Sequence, residues 1–154
     1  MTCADSSDDS SWVSEVQERL SYIPFVANPD SDRIRISTRM MDLTEDEVLS
    51  VCLIRIIDGT WSDGNGHYHI ALIARSWSCR GTRMGFFALR DALKFIFNNS
   101  LETGRIPIVT AYVDYHNVRC LRLFKEFGFE SEGKDDDYEM LSVDLGETSI
   151  PSRY

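Results

Sequence analysis

The chain has 154 residues, 43% of them hydrophobic, enough to bury one substantial core but hardly two. Sixteen basic and 25 acidic residues leave a net charge of −9. Such a surface repels phosphate backbones and anionic lipid, which argues against nucleic acid or membrane as main partner and favours cationic ones such as polyamines, lysine side chains or amino sugars.

Residues 1–11 are acidic and serine-rich where a secretory signal would be basic and then apolar, so they read as a disordered leader. From residue 12 to 23, Trp12, Val13, Val16, Leu20 and Ile23 fall close to helical spacing and Pro24 ends the segment, which predicts a short amphipathic helix. Pro29-Asp30-Ser31-Asp32 reads as a turn. In the following run, residues 33–41, Ile34, Ile36 and Thr38 alternate with Arg33, Arg35 and Ser37 in the period of a half-buried strand. A second strand is expected over 48–58. Asp58-Gly59 and Asp63-Gly64-Asn65-Gly66 accept positive φ, so a mobile hairpin connection leads into a third strand, 67–75.

That strand runs into Cys79-Arg80-Gly81-Thr82-Arg83-Met84-Gly85 and then into a long amphipathic helix. A cationic, glycine-bearing turn opening a helix is a phosphate cradle, because the N–H groups of the first turn and the positive end of the helix dipole face an anion together. A nucleotide-derived cofactor is therefore expected. The helix, residues 82–98, places Met84, Phe87, Leu89, Leu93, Ile96 and Phe97 near one stripe, and Asn98-Asn99-Ser100 is expected to stop it. A strand follows at 106–113. Asn117 caps a helix through Phe127, with Gly128 past its end. Two final strands, near Phe129 and over 138–145, are joined by Gly133-Lys134-Asp135-Asp136-Asp137, and residues 147–154 read as a loose tail. The order describes one α/β (α+β) domain over 12–146, a mixed sheet with helices on its faces and right-handed crossovers. Cys3, Cys52, Cys79 and Cys120 lie far apart, with no Cys-x-x-Cys pair and no histidine cluster at zinc spacing, so no metal is expected and the thiols read as reduced, as in a cytoplasmic protein. No apolar run reaches ~20 residues.

Two separated segments resemble the GNAT superfamily of acetyl-CoA-dependent N-acetyltransferases. Residues 73–85, ending in Arg80-Gly81-Thr82-Arg83-Met84-Gly85, are similar to its strand and pyrophosphate-binding turn, Arg/Gln-x-x-Gly-x-Gly/Ala; residues 117–129 are similar to its later helix, Asn-x-x-Ala-x-x-Leu-Tyr-x-x-x-Gly-Phe. The resemblance implies a mostly antiparallel central sheet, with helices on both faces and a central splay between two parallel strands. Acetyl-CoA, the acyl-donor substrate, would lie there with its pantetheine paired to the backbone of Leu72, Ile73, Ala74 and Arg75. Its pyrophosphate would rest on the N–H groups of Arg80, Gly81, Thr82, Arg83, Met84 and Gly85. Asn117, Cys120 and Phe124 of the later helix would border the cofactor. A cationic amine would enter from the opposite side of the sheet and attack the thioester directly. Arg83 stands where the family usually has glycine and adds a guanidinium able to pair with phosphate; Arg75 replaces an apolar residue and Cys120 a small one. Phe124 occupies the place of the tyrosine proposed to protonate the leaving thiolate.

An alkyl ammonium with a pKa near ~10 must lose a proton before attack, so a base helps. His67 and His69 are candidates, and His69, directly or through water, is weighed against a histidine packed beside the hairpin. Asp114 could orient the amine or act as base, against an ordinary turn or cap residue. For the acid, Tyr115, Tyr112 or water stand beside the alternative that Tyr115 only packs. Cys79 and Cys120 have no base partner in sequence and read as core; Trp61 and Trp77 either line the acceptor mouth or pack. Asp135-Asp136-Asp137 reads as a solvated turn that could also recruit a cation. An N-acetyltransferase acting on a primary amine is the expectation, and a non-catalytic acyl-CoA-binding or protein-interaction module, prompted by Phe124, is the alternative. Homodimerisation through the final strands is a further expectation.

Overall fold

In the computed structural model, residues 3–4, 33–41, 46–57, 66–75, 79 and 81–151 are described. The expected helix at 12–23, the turn at 29–32, most of the hairpin connection at 58–65, Ser76 to Ser78 and Arg80 lie outside them, as do Trp61 and Trp77.

The alternating runs fold as strands. β1 (Cys3–Ala4), β2 (Arg33–Met41), β3 (Asp46–Ile57) and β4 (His67–Arg75) precede α1 (Met84–Thr103); β5 (Ile108–Asp114), α2 (Val118–Glu126), β6 (Glu130–Asp135) and β7 (Tyr138–Asp144) follow. They form one seven-stranded sheet in the order β2-β3-β4-β5-β7-β6, with β1 paired to β4 off that path. Only β4–β5 and β1–β4 are parallel; the remaining ladders are antiparallel. This is the mixed, mostly antiparallel sheet expected.

Tyr68, Ile70, Leu89, Leu93, Ile96, Val109, Ala111 and Leu141 close the core between the sheet and α1, each shielded from solvent. β5 shows why: Val109, Ala111 and Val113 are buried and alternate with more accessible Thr110 and Tyr112. α2 docks beside the start of α1, where Phe86 meets Phe127 at 4.8 Å between ring centroids.

Four expectations are corrected. Residues 3 and 4 of the leader are a strand, because β4 has a backbone edge at Ile73 and Ala74 that they satisfy. The buried stripe of α1 includes Phe86, Ala88 and Ala92, with Phe87 and Phe97 packed against it half-buried, and does not include Met84. The helix does not stop at Asn98-Asn99-Ser100 but runs to Thr103: Asn99 Oδ1 accepts the Tyr68 hydroxyl at 2.7 Å, and Ser100 Oγ bonds back to the Phe97 carbonyl. Its true end is Gly104, left-handed at φ 73°, whose N–H reaches the Ser100 carbonyl. Finally, the β6–β7 connection is only Asp136 and Asp137, with Asp136 at φ 47°, and Gly133 to Asp135 belong to β6. Beyond β7, Leu145 is buried and its N–H bonds to the Pro107 carbonyl, while Gly146 and Thr148 are tied to Asp144.

Candidate active site

β4 and β5 pair only at Tyr68–Val109, His69–Thr110 and Ile70–Ala111. Past that point β4 continues to Arg75 and β5 to Asp114 without pairing to each other, each held on its far edge, β4 by β3 and β5 by β7. The parallel pair therefore splays as expected, and the backbone of Leu72, Ile73, Ala74 and Arg75 borders the opening. That backbone is not free along its whole length. β1 pairs with Ile73 and Ala74.

At the far end of β4 the turn into α1 is built around Cys79, whose carbonyl accepts both the Thr82 N–H at 3.2 Å and the Thr82 hydroxyl at 2.6 Å. Thr82 Oγ1 in turn accepts the Met84 N–H. Gly81 sits at φ 75°, a conformation a side chain would strain, and a Cβ there would meet nothing within 4 Å. No acidic residue lies in the first turn of α1, so its positive end is not neutralised from within the helix. The turn thus presents a helix start with no acidic residue of its own, while the Thr82 and Met84 N–H groups are already bonded within it. Two of its residues have other neighbours as well: Arg83 Nη2 pairs with Glu126 at 3.1 Å and its guanidinium lies 4.4 Å above the Phe86 ring. A Cβ at Gly85 would touch Leu123 of α2 at 3.6 Å.

Asn117 caps α2 as expected, its side chain accepting the Cys120 N–H at 3.2 Å. Phe124 is fully buried and packs edge-on against Phe129, so its ring belongs to the core. Cys120, 1% exposed, is not a reduced thiol: it is disulfide-bonded, whereas Cys52 is a buried thiol outside any disulfide.

His69 projects beside Thr110, with Nδ1 to Oγ1 at 2.9 Å, and its ring lies 5.4 Å from that of Tyr112. Because the Thr110 hydroxyl donates to the Tyr68 carbonyl, the hydrogen-bond pattern assigns the proton to Nδ1 and leaves the Nε2 lone pair free to accept. Burial, with the neighbouring charges of His67 and Arg55 adding to it, pushes the His69 pKa down to about 4. His67, buried, is lowered by the same desolvation. Thr110 is beyond sequence reasoning as a functional residue, although its alternation with the buried valines of β5 is the signal that would place it.

The structure brings Tyr112 beside His69 but not Asp114 or Tyr115. Asp114 and Tyr115 lie four and five residues beyond Thr110, which at ~3.3 Å per residue puts Asp114 about 13 Å along the strand. Asp114 Oδ1 accepts the His116 N–H at 2.8 Å and contacts His116 Nδ1 at 2.9 Å, and its carbonyl accepts the Asn117 N–H: it organises the turn into α2. Tyr115 is exposed, stacked on His116 at 4.0 Å. No group of three metal-ligating side chains occurs among the described residues.

The depressed histidines carry a stability signature. A proton taken up by the unfolded chain near the ordinary value of 6.5 is refused by the folded one until about pH 4 for His69. Stability is therefore full above about 6.5 and is lost on acidification toward 4, by up to ~1.4 kcal/mol per pH unit per proton. Urea titrations across this window check it; a His69→Ala variant is expected to show a shallower loss.

No protein-family model and no curated protein sequence matches the chain. In three dimensions it is similar to a spermidine N-acetyltransferase SpeG chimera from Vibrio cholerae and hSSAT, at 11% identity over 88% of this chain and 76% of that one, TM-score 0.58. It is similar also to the GNAT domain of S. lividans PAT, at 17% identity over 79% and 65%, TM-score 0.60. AtaTR bound with AcCoA is a third, at 16% identity over 68% and 63%, TM-score 0.53. Among the described residues no helix is long and apolar enough to cross a membrane. The likeness extends over most of the chain: this chain has the GNAT fold.

Proposed function

We propose that the protein is an N-acetyltransferase that transfers an acetyl group from acetyl-CoA to a primary amine. The observation that carries this is the splay of β4 from β5 beyond Ile70, with the uncompensated N-terminus of α1 at its end. Bound there, acetyl-CoA supplies an activated thioester whose carbonyl accepts the amine and whose thiolate departs.

The chain's own groups do the rest. Those backbone N–H groups of residues 80–85 that are not bonded within the turn, as the N–H groups of Thr82 and Met84 are, hold the diphosphate, and the strand edge of Leu72 to Arg75 holds the pantetheine by main-chain pairing. His69, with its free Nε2, orients the amine. An imidazole near 4 takes a proton from a free ammonium near ~10 only against about six units, roughly 8 kcal/mol, so His69 does not deprotonate the incoming ammonium. It accepts a hydrogen bond from the neutral amine, and then the more acidic proton of the newly acylated nitrogen. The acidic surface favours a cationic acceptor by steering. Phe124 supplies no hydroxyl, so water or Tyr112, which is exposed beside His69, delivers the proton to the thiolate.

Acetyl-CoA is expected to raise the melting temperature progressively with concentration, as a native-state ligand must. A flat response to millimolar ligand under reducing conditions overturns the proposal. Thiol release with a panel of polyamines, lysine peptides and amino sugars then identifies the acceptor class. A second reading, a binding module without chemistry, is favoured by the buried Phe124; undiminished binding with no thiol release for any amine would select it.

A further inference from the structure

Resting on the acyl-transfer reading above, we propose that Thr110 is a positioning residue for that reaction: its hydroxyl holds the proton of His69 on Nδ1 and so presents Nε2 to the amine as an acceptor.

The ladder places the pair. β4 and β5 share three rungs, and His69–Thr110 is the middle one, a single rung before the strands part after Ile70 and Ala111. The rungs on either side, Tyr68–Val109 and Ile70–Ala111, turn their four side chains into the core, all fully buried. Alternation then puts His69 and Thr110 together on the opposite face of the sheet, beside the apex of the opening. In the acyl-transfer reading the amine arrives on that face.

Two contacts fix the ring. Nδ1 lies 2.9 Å from Thr110 Oγ1, and the ring of Tyr112, the next residue of β5 on this face, stands 5.4 Å away and tilted by 54°. A threonine hydroxyl has one proton to give. Here it goes to the Tyr68 carbonyl at 3.4 Å, so Oγ1 meets Nδ1 as an acceptor. That carbonyl belongs to the residue before His69, which closes a short circuit of bonds from β4 to β5 and back.

The consequence is chemical. A neutral imidazole carries one ring N–H; the nitrogen that holds it donates, and the other accepts. Burial keeps His69 neutral across the working range, with a pKa of about 4, so the place of that proton decides what the ring offers. Held on Nδ1, it leaves Nε2 to accept from the amine and then to receive the proton of the acylated nitrogen, which passes on to water. Nδ1 keeps its own proton throughout, and Thr110 transfers none. Without the hydroxyl, the proton is free to pass to Nε2, and the ring then meets the amine with a donor.

The full-length chain with isotope-labelled histidine is examined by proton–nitrogen correlation spectroscopy of the imidazole as wild type, Thr110→Val and Thr110→Ser, with Thr110→Ala as a second deletion where valine does not fold. Each is assayed for thiol release with acetyl-CoA and whichever of spermidine, a lysine peptide and glucosamine the wild type acetylates fastest. Expected are an Nδ1-protonated His69 in the wild type and in Thr110→Ser, and loss of that signature in the deletion. The deletion should lower kcat about tenfold with acetyl-CoA binding unchanged, as loss of an orienting partner does, and serine should restore kcat to within about twofold of wild type. Added to His69→Ala, the deletion is expected to lower kcat no further, because it acts only through the ring. An Nε2-protonated His69 in the wild type, an unchanged kcat in a folded deletion, or the full penalty repeated in the His69→Ala background overturns the positioning role and leaves the acyl-transfer reading in place. If the wild type releases no thiol with any of the three amines, the acyl-transfer reading itself fails and the role falls with it.

Discussion

Thr82→Asp is expected to leave the chain folded while weakening acetyl-CoA binding by at least about tenfold, because it places a carboxylate where the diphosphate would rest. The substitution separates helix stability from anion binding. A carboxylate at the start of α1 accepts the Met84 N–H as the threonine hydroxyl does and favours the helix dipole by ~0.3–1 kcal/mol. Losing the hydroxyl's bond to the Cys79 carbonyl offsets this by a similar amount. Stability in urea should thus stay within about 1 kcal/mol of wild type. Like charges ~4 Å apart repel by about 4 kcal/mol at an effective dielectric constant near 20, so the binding effect dominates. Calorimetry under reducing conditions reads it, and unchanged affinity in a folded variant would remove the diphosphate from this turn. Position 85 is a less direct place for the test, since a Cβ there is already in van der Waals contact with Leu123 of α2 at 3.6 Å.

Replacing His69 by alanine should lower kcat by about a hundredfold, the lower end of what positioned proton-transfer groups contribute. The pH profile carries the sharper information. With His69 near 4, its imidazole is neutral across the working range, and the rate should rise tenfold per pH unit through neutrality as the amine itself loses its proton. No inflection from histidine is expected between pH 6 and 7. An acid limb in that interval that vanishes in His69→Ala would show that the ring titrates normally, contradicting the burial that sets its role.

The parts of this molecule that a local pattern dictates are legible in its residues. Ile34, Ile36 and Thr38 alternating with Arg33, Arg35 and Ser37 mark β2 to the residue, and the same holds for β4 from His67 to Arg75. Asn117 as a cap and Gly128 past the end of α2 were equally readable. What tertiary neighbours decide is not. α1 outruns Asn98-Asn99-Ser100 because the hydroxyl of Tyr68, on another element, takes up Asn99. A strand of two residues has no period to detect. The same limit holds at the site: His69 stands out in the chain, but its depressed pKa and its bond to Thr110 arise only when β4 meets β5.

β6 has a consequence for self-association. All six of its residues are exposed, and three of them, Glu130, Glu132 and Asp135, are acidic against one lysine, while the register slips between Ser131 and Gly133. A second copy adding itself edge to edge would set carboxylates against carboxylates on an irregular ladder, the arrangement by which sheet proteins guard an open border. Shared growth of the sheet through that border is thus discouraged by charge and by the broken register together.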